Sequence, residues 1–254
     1  MRDTALPDLS GTVALVTGAS GTIGRGIALR FADAGAAVVV HGHRNPATAL
    51  AAEIHAHGGA ALAVTADLTD EEACSGLVAE ATSWRGRLDA LVNNAGIQPV
   101  QSLVDMTGAD WRTMLDTNLT SAFLCTRAAA GVMRERGGSI THIASIEAGR
   151  PAAGHAHYSA AKAGLVMHAR AAALEYGRHG IRVNAVSPGL IDRPGLADDW
   201  PSGVERWQVA APLTRLGTPA DVGNACVFLA SPMASWITGH NLTVDGGVTT
   251  HPTW

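Results

Sequence analysis

The 254-residue chain is short of lysine: of its 18 basic residues, 17 are arginine and one, Lys162, is lysine. It has three cysteines, Cys74, Cys125 and Cys226, an odd number with no C-x-x-C pair. Each falls in an apolar, helix-like stretch, which reads as buried thiols and excludes a disulfide framework. Aromatic residues make up 4%, and only two are tyrosines, Tyr158 and Tyr176. Charged residues make up 16% against 47% hydrophobic, so a sizeable core is available and intrinsic disorder is excluded. No run approaches the roughly 18 apolar residues of a membrane span. The opening MRDTALPDLSGTVALV carries acidic residues and a four-residue apolar run, unlike a secretory leader. A net charge of −4 argues against a nucleic-acid surface or an anionic-membrane binder. These absences together predict a cytoplasmic protein without nucleic-acid or membrane partners.

Glycine is plentiful, with 29 residues and no collagen-like period, so it serves turns and close approaches. Short β-rich runs alternate with longer stretches of helical spacing. Strands are expected at Thr12–Thr17, Ala36–His41, Ala60–Ala66, Leu88–Asn93, Ser139–Ala144, Arg182–Val186 and Asn241–Val244. Between the first two, Ile23, Ile27, Phe31 and Ala34 recur at helical spacing and stop at Gly35. Asn45-Pro46 and Thr218-Pro219 each place a capping side chain before a proline at the first helical position. Thr69 with Glu72 has the spacing of a capping box. Strands alternating with helices predict an α/β fold, a doubly wound, Rossmann-like parallel sheet of about seven strands with helices on both faces. No linker or repeat divides the chain, so residues 1–254 read as one dinucleotide-binding and catalytic domain.

The first strand runs into Thr17-Gly18-Ala19-Ser20-Gly21-Thr22-Ile23-Gly24, and a helix follows. Glycines there permit a tight turn and bring backbone N–H groups to a pyrophosphate at the helix N-terminus, where the dipole favours anions. Further motifs follow in order: Asp67-Leu68 after the third strand, Asn93-Asn94-Ala95-Gly96 after the fourth, Pro188-Gly189 after the sixth. With the glycine turn they resemble the short-chain dehydrogenase/reductase family, in its single-domain branch of about 250 residues, over nearly the whole chain. One departure lies in the turn. The family pattern has a glycine where this chain has Thr22, and glycines at 18, 21 and 24 match the spacing of the longer, epimerase-like branch.

The resemblance implies a cofactor site made of Gly18, Ser20, Gly21, Thr22, Ile23, Gly24, His43, Arg44, Asn45, Asp67, Leu68, Asn94, Ala95, Gly96, Tyr158, Lys162, Pro188, Gly189 and Ile191. In it Asp67 meets the adenine amino group, and the Asn94–Gly96 turn lines the cleft. The residues themselves bear on which nicotinamide cofactor binds. A sheet binding NAD usually ends its second strand with an acid that accepts from the ribose 2′-hydroxyl. Here the run is Val38-Val39-Val40-His41-Gly42-His43-Arg44-Asn45, without a carboxylate. A guanidinium suits a 2′-phosphate instead, so NADP(H) is favoured over NAD(H).

Tyr158 and Lys162 are four residues apart in a helical pattern and so share a face. A randomly placed single lysine would fall four after either tyrosine with a chance of about 2 in 253. A free tyrosine has a pKa near 10, and an ammonium beside it, with a cationic oxidised nicotinamide, favours the phenolate. Ser145, thirteen residues earlier at a strand end, is placed to hydrogen-bond the reacting oxygen. Arginine is a poor substitute for Lys162, since the site asks for a compact ammonium. By resemblance the tetrad is Asn118, Ser145, Tyr158 and Lys162, with Asn118 kinking a helix and ordering a proton-relay water. Hydride then passes from NADPH to a carbonyl carbon with Tyr158 as general acid; in reverse, Tyr158 is the base. Lys162 also holds the nicotinamide ribose hydroxyls.

The resemblance makes residues 190–212 a mobile lid over a small carbonyl or alcohol substrate, with Trp200 and Trp207 as its apolar cover. Arg193 stands where relatives commonly have a threonine that touches the nicotinamide carboxamide. It either abandons that contact or recruits an anionic group. Gln98, Glu147 and His155 are further substrate candidates. His41/His43, His55/His57 and His155/His157 are i, i+2 pairs with no completing ligand, so no metal is expected. Alanine-rich helices around Asn118 and Tyr158 imply, through the family, a homotetramer. Two other function classes compete: a catalytically silent dinucleotide sensor, and a redox-neutral isomerase or dehydratase, at which the glycine spacing hints.

Overall fold

Val13–Val16 (β1), Ala37–Gly42 (β2), Ala61–Thr65 (β3), Ala90–Asn93 (β4), Gly138–Ile143 (β5), Ile181–Pro188 (β6) and Asn241–Val244 (β7) form one sheet. The computed structural model describes residues 6–250. Residues 1–5, where the segment read as unlike a leader begins, and 251–254 lie outside the described residues. Every pairing is parallel, in the order β3-β2-β1-β4-β5-β6-β7. All seven expected strands are present, Asn241–Val244 with the same bounds and the others with edges moved by at most two residues. The runs were legible because central strands of such a sheet are covered on both faces and so read as continuous apolar stretches.

The helices are Thr22–Asp33 (α1), Thr48–Ala56 (α2), Glu71–Arg85 (α3), Gly108–Leu115 (α4), Ser121–Met133 (α5), Ala156–Tyr176 (α6), Leu196–Asp199 (α7), Pro201–Ala210 (α8) and Pro219–Ala230 (α9). Side-chain alternation along β1 divides the core between the two faces. Val13 and Leu15 pack with Leu77 of α3, Cys125 of α5 and Leu165 of α6. Ala14 and Val16 pack with Ile27 and Phe31 of α1, Ile54 of α2 and Val227 of α9. All three cysteines are buried and free, as expected. Among the described residues no helix is long and apolar enough to cross a membrane.

Thr218 caps α9 in a reciprocal box with Asp221, ahead of Pro219. The other two expected caps are corrected. Helix α2 starts at Thr48 behind Ala47, with no side-chain cap, because Asn45 belongs to a bend folded back over Gly42. Helix α3 is capped by Asp70, which accepts from the Ala73 N–H. The Thr69 hydroxyl instead donates to Asp67 over 2.7 Å. The chain runs outward from β1 to β3 and returns to β4 on the other side of β1. Strand order reverses there, which opens a crevice beyond the carboxyl ends of β1 and β4, the place where such sheets take ligands.

Candidate active site

The crevice is laced together by Thr17 and Asn94. The Thr17 hydroxyl accepts from the N–H groups of Asn94 (2.9 Å) and Ala95 (3.1 Å), while Asn94 Nδ2 donates to the carbonyls of Thr17 (2.9 Å) and Gly18 (3.1 Å). Gly24 allows this closeness: a Cβ there would lie 2.3 Å from Gly18 O and 2.5 Å from Asn94 Nδ2. Helix α1 starts at Thr22 behind Gly21, with no side-chain cap and no acid in its first turn. Its first N–H groups and dipole are therefore left to attract an anion, and the turn fits a dinucleotide pyrophosphate. Thr22, where the family pattern has glycine, is exposed and helical, so its side chain projects without obstructing the turn.

His41, outside the site read from sequence, fixes the turn from below. It is 1% exposed; the Gly18 N–H donates to its Nδ1 (3.1 Å) and its Nε2 pairs with the Ala66 carbonyl (3.0 Å). A carbonyl only accepts, so Nε2 carries the proton and the ring is neutral. Burial holds it below the ordinary histidine range. His43, Arg44 and Asn45 are exposed in the bend after β2. Arg44 makes no hydrogen bond or ion pair among the described residues, and with His43 it lines a cleft of about 840 Å³ that also takes in Ser20–Gly24, Asp67, Leu68 and Asn94–Gln98. Asp67 faces His43 at 3.8 Å, and hydrogen bonds from Thr69 hold its carboxyl below the usual carboxylate range. Asn45, Pro188, Gly189 and Ile191 are not on this wall. A larger hollow of about 1490 Å³ lies at the other end of β1 and β2, lined by Arg30, Glu53, Trp84 and Arg87, and holds none of the expected site residues.

The expected tetrad comes together beside the cleft. Asn118 sits in a π-helical turn, Asp116–Thr120, between α4 and α5, where an extra residue per turn redirects the side chain. It is 1% exposed; its Oδ1 accepts from the Ile97 N–H (3.2 Å) and its Nδ2 donates to the Met114 carbonyl (3.2 Å). The Gly96 backbone passes over it: a Cβ there would lie 2.4 Å from Asn118 Oδ1 and 3.7 Å from Lys162 Nζ. Lys162 donates to the Ile143 carbonyl (2.8 Å) and stands 5.4 Å from the centroid of the Tyr158 ring. Ser145 opens a 3-10 turn, Ile146–Ala148, just past β5 and hydrogen-bonds Tyr158.

Burial governs the electrostatics. It pushes the Tyr158 phenol up to about 12, against the pull of the Ser145 hydrogen bond and with a further push from Glu147. It brings the Lys162 ammonium down to about 8. Desolvation is the largest influence on the phenol and favours its protonated form.

Three of the substrate candidates meet. Glu147 accepts from His155 Nδ1 at 2.9 Å and from Gln98 Nε2 at 3.1 Å. The other three belong to the 190–212 stretch. Arg193 pairs with Asp199 at 2.6 Å, within that stretch. The Trp200 ring lies against Gly203, and Trp207 against Gly189, beside the carboxyl end of β6.

A family model described as enoyl-(acyl carrier protein) reductase matches residues 18–249. An L-rhamnose 1-dehydrogenase (NAD(P)(+)) from Azotobacter vinelandii is 44% identical, over 92% of this chain and 95% of its own. A (2S)-[(R)-hydroxy(phenyl)methyl]succinyl-CoA dehydrogenase subunit from Thauera aromatica is 41% identical over the same shares. A crystal structure of a short-chain type dehydrogenase/reductase from Mycobacterium marinum superposes with a TM-score of 0.89 at 38% identity, covering 96% of this chain and 98% of that one. The chain belongs to the short-chain dehydrogenase/reductase family and is an NAD(P)-linked oxidoreductase acting on CH–OH or C=O groups.

Proposed function

We propose that the chain interconverts a ketone and a secondary alcohol with NADP(H), using Tyr158 as acid and base. The observation that carries this reading is that Asn118 and Lys162 meet beside Gly96, with Tyr158 next to Lys162 and Ser145 hydrogen-bonded to Tyr158. The bound nicotinamide supplies or takes up the hydride. The turn Gly18–Gly24 and the Asn94–Gly96 backbone would hold the dinucleotide, with Asp67 and Leu68 toward its adenine and Pro188, Gly189 and Ile191 toward its nicotinamide. Ser145 donates a hydrogen bond to the substrate oxygen, stabilising the charge that develops there. Tyr158, protonated by virtue of its burial, delivers its proton to that oxygen in reduction. Lys162 holds the ribose hydroxyls and, once the cofactor is oxidised, adds to the field that draws the phenol down for the reverse step. Asn118 supports a water that returns the proton to solvent. Relatives named for a sugar and for an acyl-CoA fit the same carbonyl–carbinol chemistry.

The 190–212 segment serves as the lid, carried by α7 and α8. Exposed Phe123 and Val132 on α5 and Met167 and Leu174 on α6 support a homotetramer closed through these helices.

The preference for the phosphorylated cofactor rests on Arg44, an unpaired guanidinium where NAD binders keep an acid. Fluorescence titration is expected to give a lower Kd for NADPH than for NADH. A charge-assisted contact is worth about 1.5–3 kcal/mol, so Arg44→Asp should weaken NADPH by at least about tenfold and leave NADH nearly unchanged. A wild-type protein that prefers NADH overturns the assignment.

A further inference from the structure

The wall flanking Ser145 and Tyr158 is built from polar residues that the proton transfer does not use. Glu147 lies two residues past Ser145, and its backbone N–H donates to Ser145 Oγ over 3.1 Å. Its carboxylate is 14% exposed and is held from three parts of the chain. His155, ahead of α6, reaches Oε2 at 2.9 Å; Gln98, from the loop after β4, reaches Oε1 at 3.1 Å; Ser159, on α6, reaches Oε2 at 3.4 Å. His155 in turn sets its ring edge-on to Tyr158, centroids 6.0 Å apart. Shielding a carboxylate costs free energy even when it is paired, and packing alone would be served as well by apolar side chains. A position beside the reacting oxygen gives the arrangement a use.

The chemistry of this wall is one-sided. An ionised carboxylate only accepts hydrogen bonds. His155 Nδ1 faces that carboxylate, and its Nε2 is shielded without a partner among the described residues. Of the two arginines on the neighbouring cleft, Arg193 is engaged by Asp199 and Arg44 is assigned above to the cofactor. The site therefore offers acceptors next to Ser145 and is matched by a neutral donor. A second carboxylate, or a thioester carbonyl, in that place would bring no proton and face an anion.

Resting on the reaction proposed at Ser145 and Tyr158, we infer that Glu147, His155 and Gln98 form a subsite for a hydroxyl on the carbon next to the reacting one. The substrate class is then vicinal hydroxy-ketones and the diols that correspond to them. When Ser145 and Tyr158 hold the carbonyl oxygen, an oxygen on the adjacent carbon falls within hydrogen-bond reach of it, on the side where Glu147 adjoins Ser145. A hydroxyl there adds a further donor to the carboxylate; its deoxy analogue forgoes that charge-assisted bond.

The test compares matched pairs: 2-hydroxycyclohexanone against cyclohexanone and 3-hydroxybutanone against butanone with NADPH, and trans-1,2-cyclohexanediol against cyclohexanol with NADP. Wild type is expected to favour the hydroxylated member by about 10- to 100-fold in kcat/KM, chiefly through KM. Glu147→Gln should reduce that ratio, and Glu147→Ala and His155→Phe should bring it near one, with NADPH affinity and circular dichroism showing that each variant is folded. The ratio is insensitive to a general loss of activity, because both members of a pair suffer it equally. A wild-type ratio of one, or one that survives in Glu147→Ala, overturns the subsite and leaves the oxidoreductase reading standing. No cofactor turnover with any ketone, alcohol or diol overturns that reading, and the subsite with it.

Discussion

Tyr158→Phe is expected to lower kcat by roughly 10²- to 10⁴-fold, the usual contribution of a positioned general acid, while NADPH affinity stays within about twofold of wild type. The substitution removes one hydroxyl and leaves the ring, so the edge contact with His155 and the packing around Lys162 persist. What is lost is the phenolic proton, which burial favours by pushing the pKa up to about 12. The pH dependence follows from that direction. Reduction needs the protonated form and should run undiminished well into the alkaline range. Oxidation needs the phenolate, so its kcat should climb with pH, tenfold per unit while proton removal limits it. Stopped-flow traces of NADPH consumption together with fluorescence titration separate the two quantities. Turnover in Tyr158→Phe within about tenfold of wild type would move the proton donor to another residue.

How far the sequence spoke for this geometry depended on how local each signal was. The strand Val38-Val39-Val40 is found at once because a strand buried on both faces needs no partner in sequence to be recognised. Tyr158 and Lys162 were legible for the same reason, since one helical turn joins them. Thr218 was read correctly as a cap because its partner Asp221 lies three residues on. Asn45 and Thr69 misled because each had a nearer competitor, the bend over Gly42 in one case and the Asp67 carboxylate in the other. His41 was illegible as a site residue: its partners Gly18 and Ala66 are 23 and 25 positions away and meet it only once β1, β2 and β3 lie side by side. The upward push on the Tyr158 phenol was likewise beyond the sequence, because spacing reports a neighbouring ammonium but not the burial around the ring. Gln98 and Glu147, 49 residues apart, could each be named as polar and near the site, but their hydrogen bond required the fold.

Lys162→Arg is expected to lose most activity, on the order of 10²-fold or more, although it keeps the charge in a chain that uses arginine for every other basic position. The pocket is the reason. Lys162 is 4% exposed, its ammonium donates to the Ile143 carbonyl, and a Cβ at Gly96 would lie 3.7 Å from it. A guanidinium brings five donors in a rigid plane, and each donor left unpaired there costs about 1–3 kcal/mol. It also stays charged, whereas burial has drawn the ammonium down to about 8. That lowered value carries a stability consequence whose sign is fixed. Between pH about 8 and the ordinary lysine value near 10.5, the unfolded chain binds more protons at this position than the folded one. Wild-type stability therefore gains with pH through that window, and at pH 7 the buried charge costs up to roughly 3 kcal/mol. Lys162→Met removes the charge but also the charge-assisted bond to Ile143, worth about 1.5–3 kcal/mol, so the two effects nearly offset and it should melt near the wild-type temperature at pH 7 while being inactive. Lys162→Arg should be both inactive and less stable. Thermal melts at pH 7 and pH 10 with NADPH turnover distinguish these patterns. Near-normal turnover in Lys162→Arg would mean that position 162 needs only a positive charge, and that the single lysine among 17 arginines marks no special chemistry.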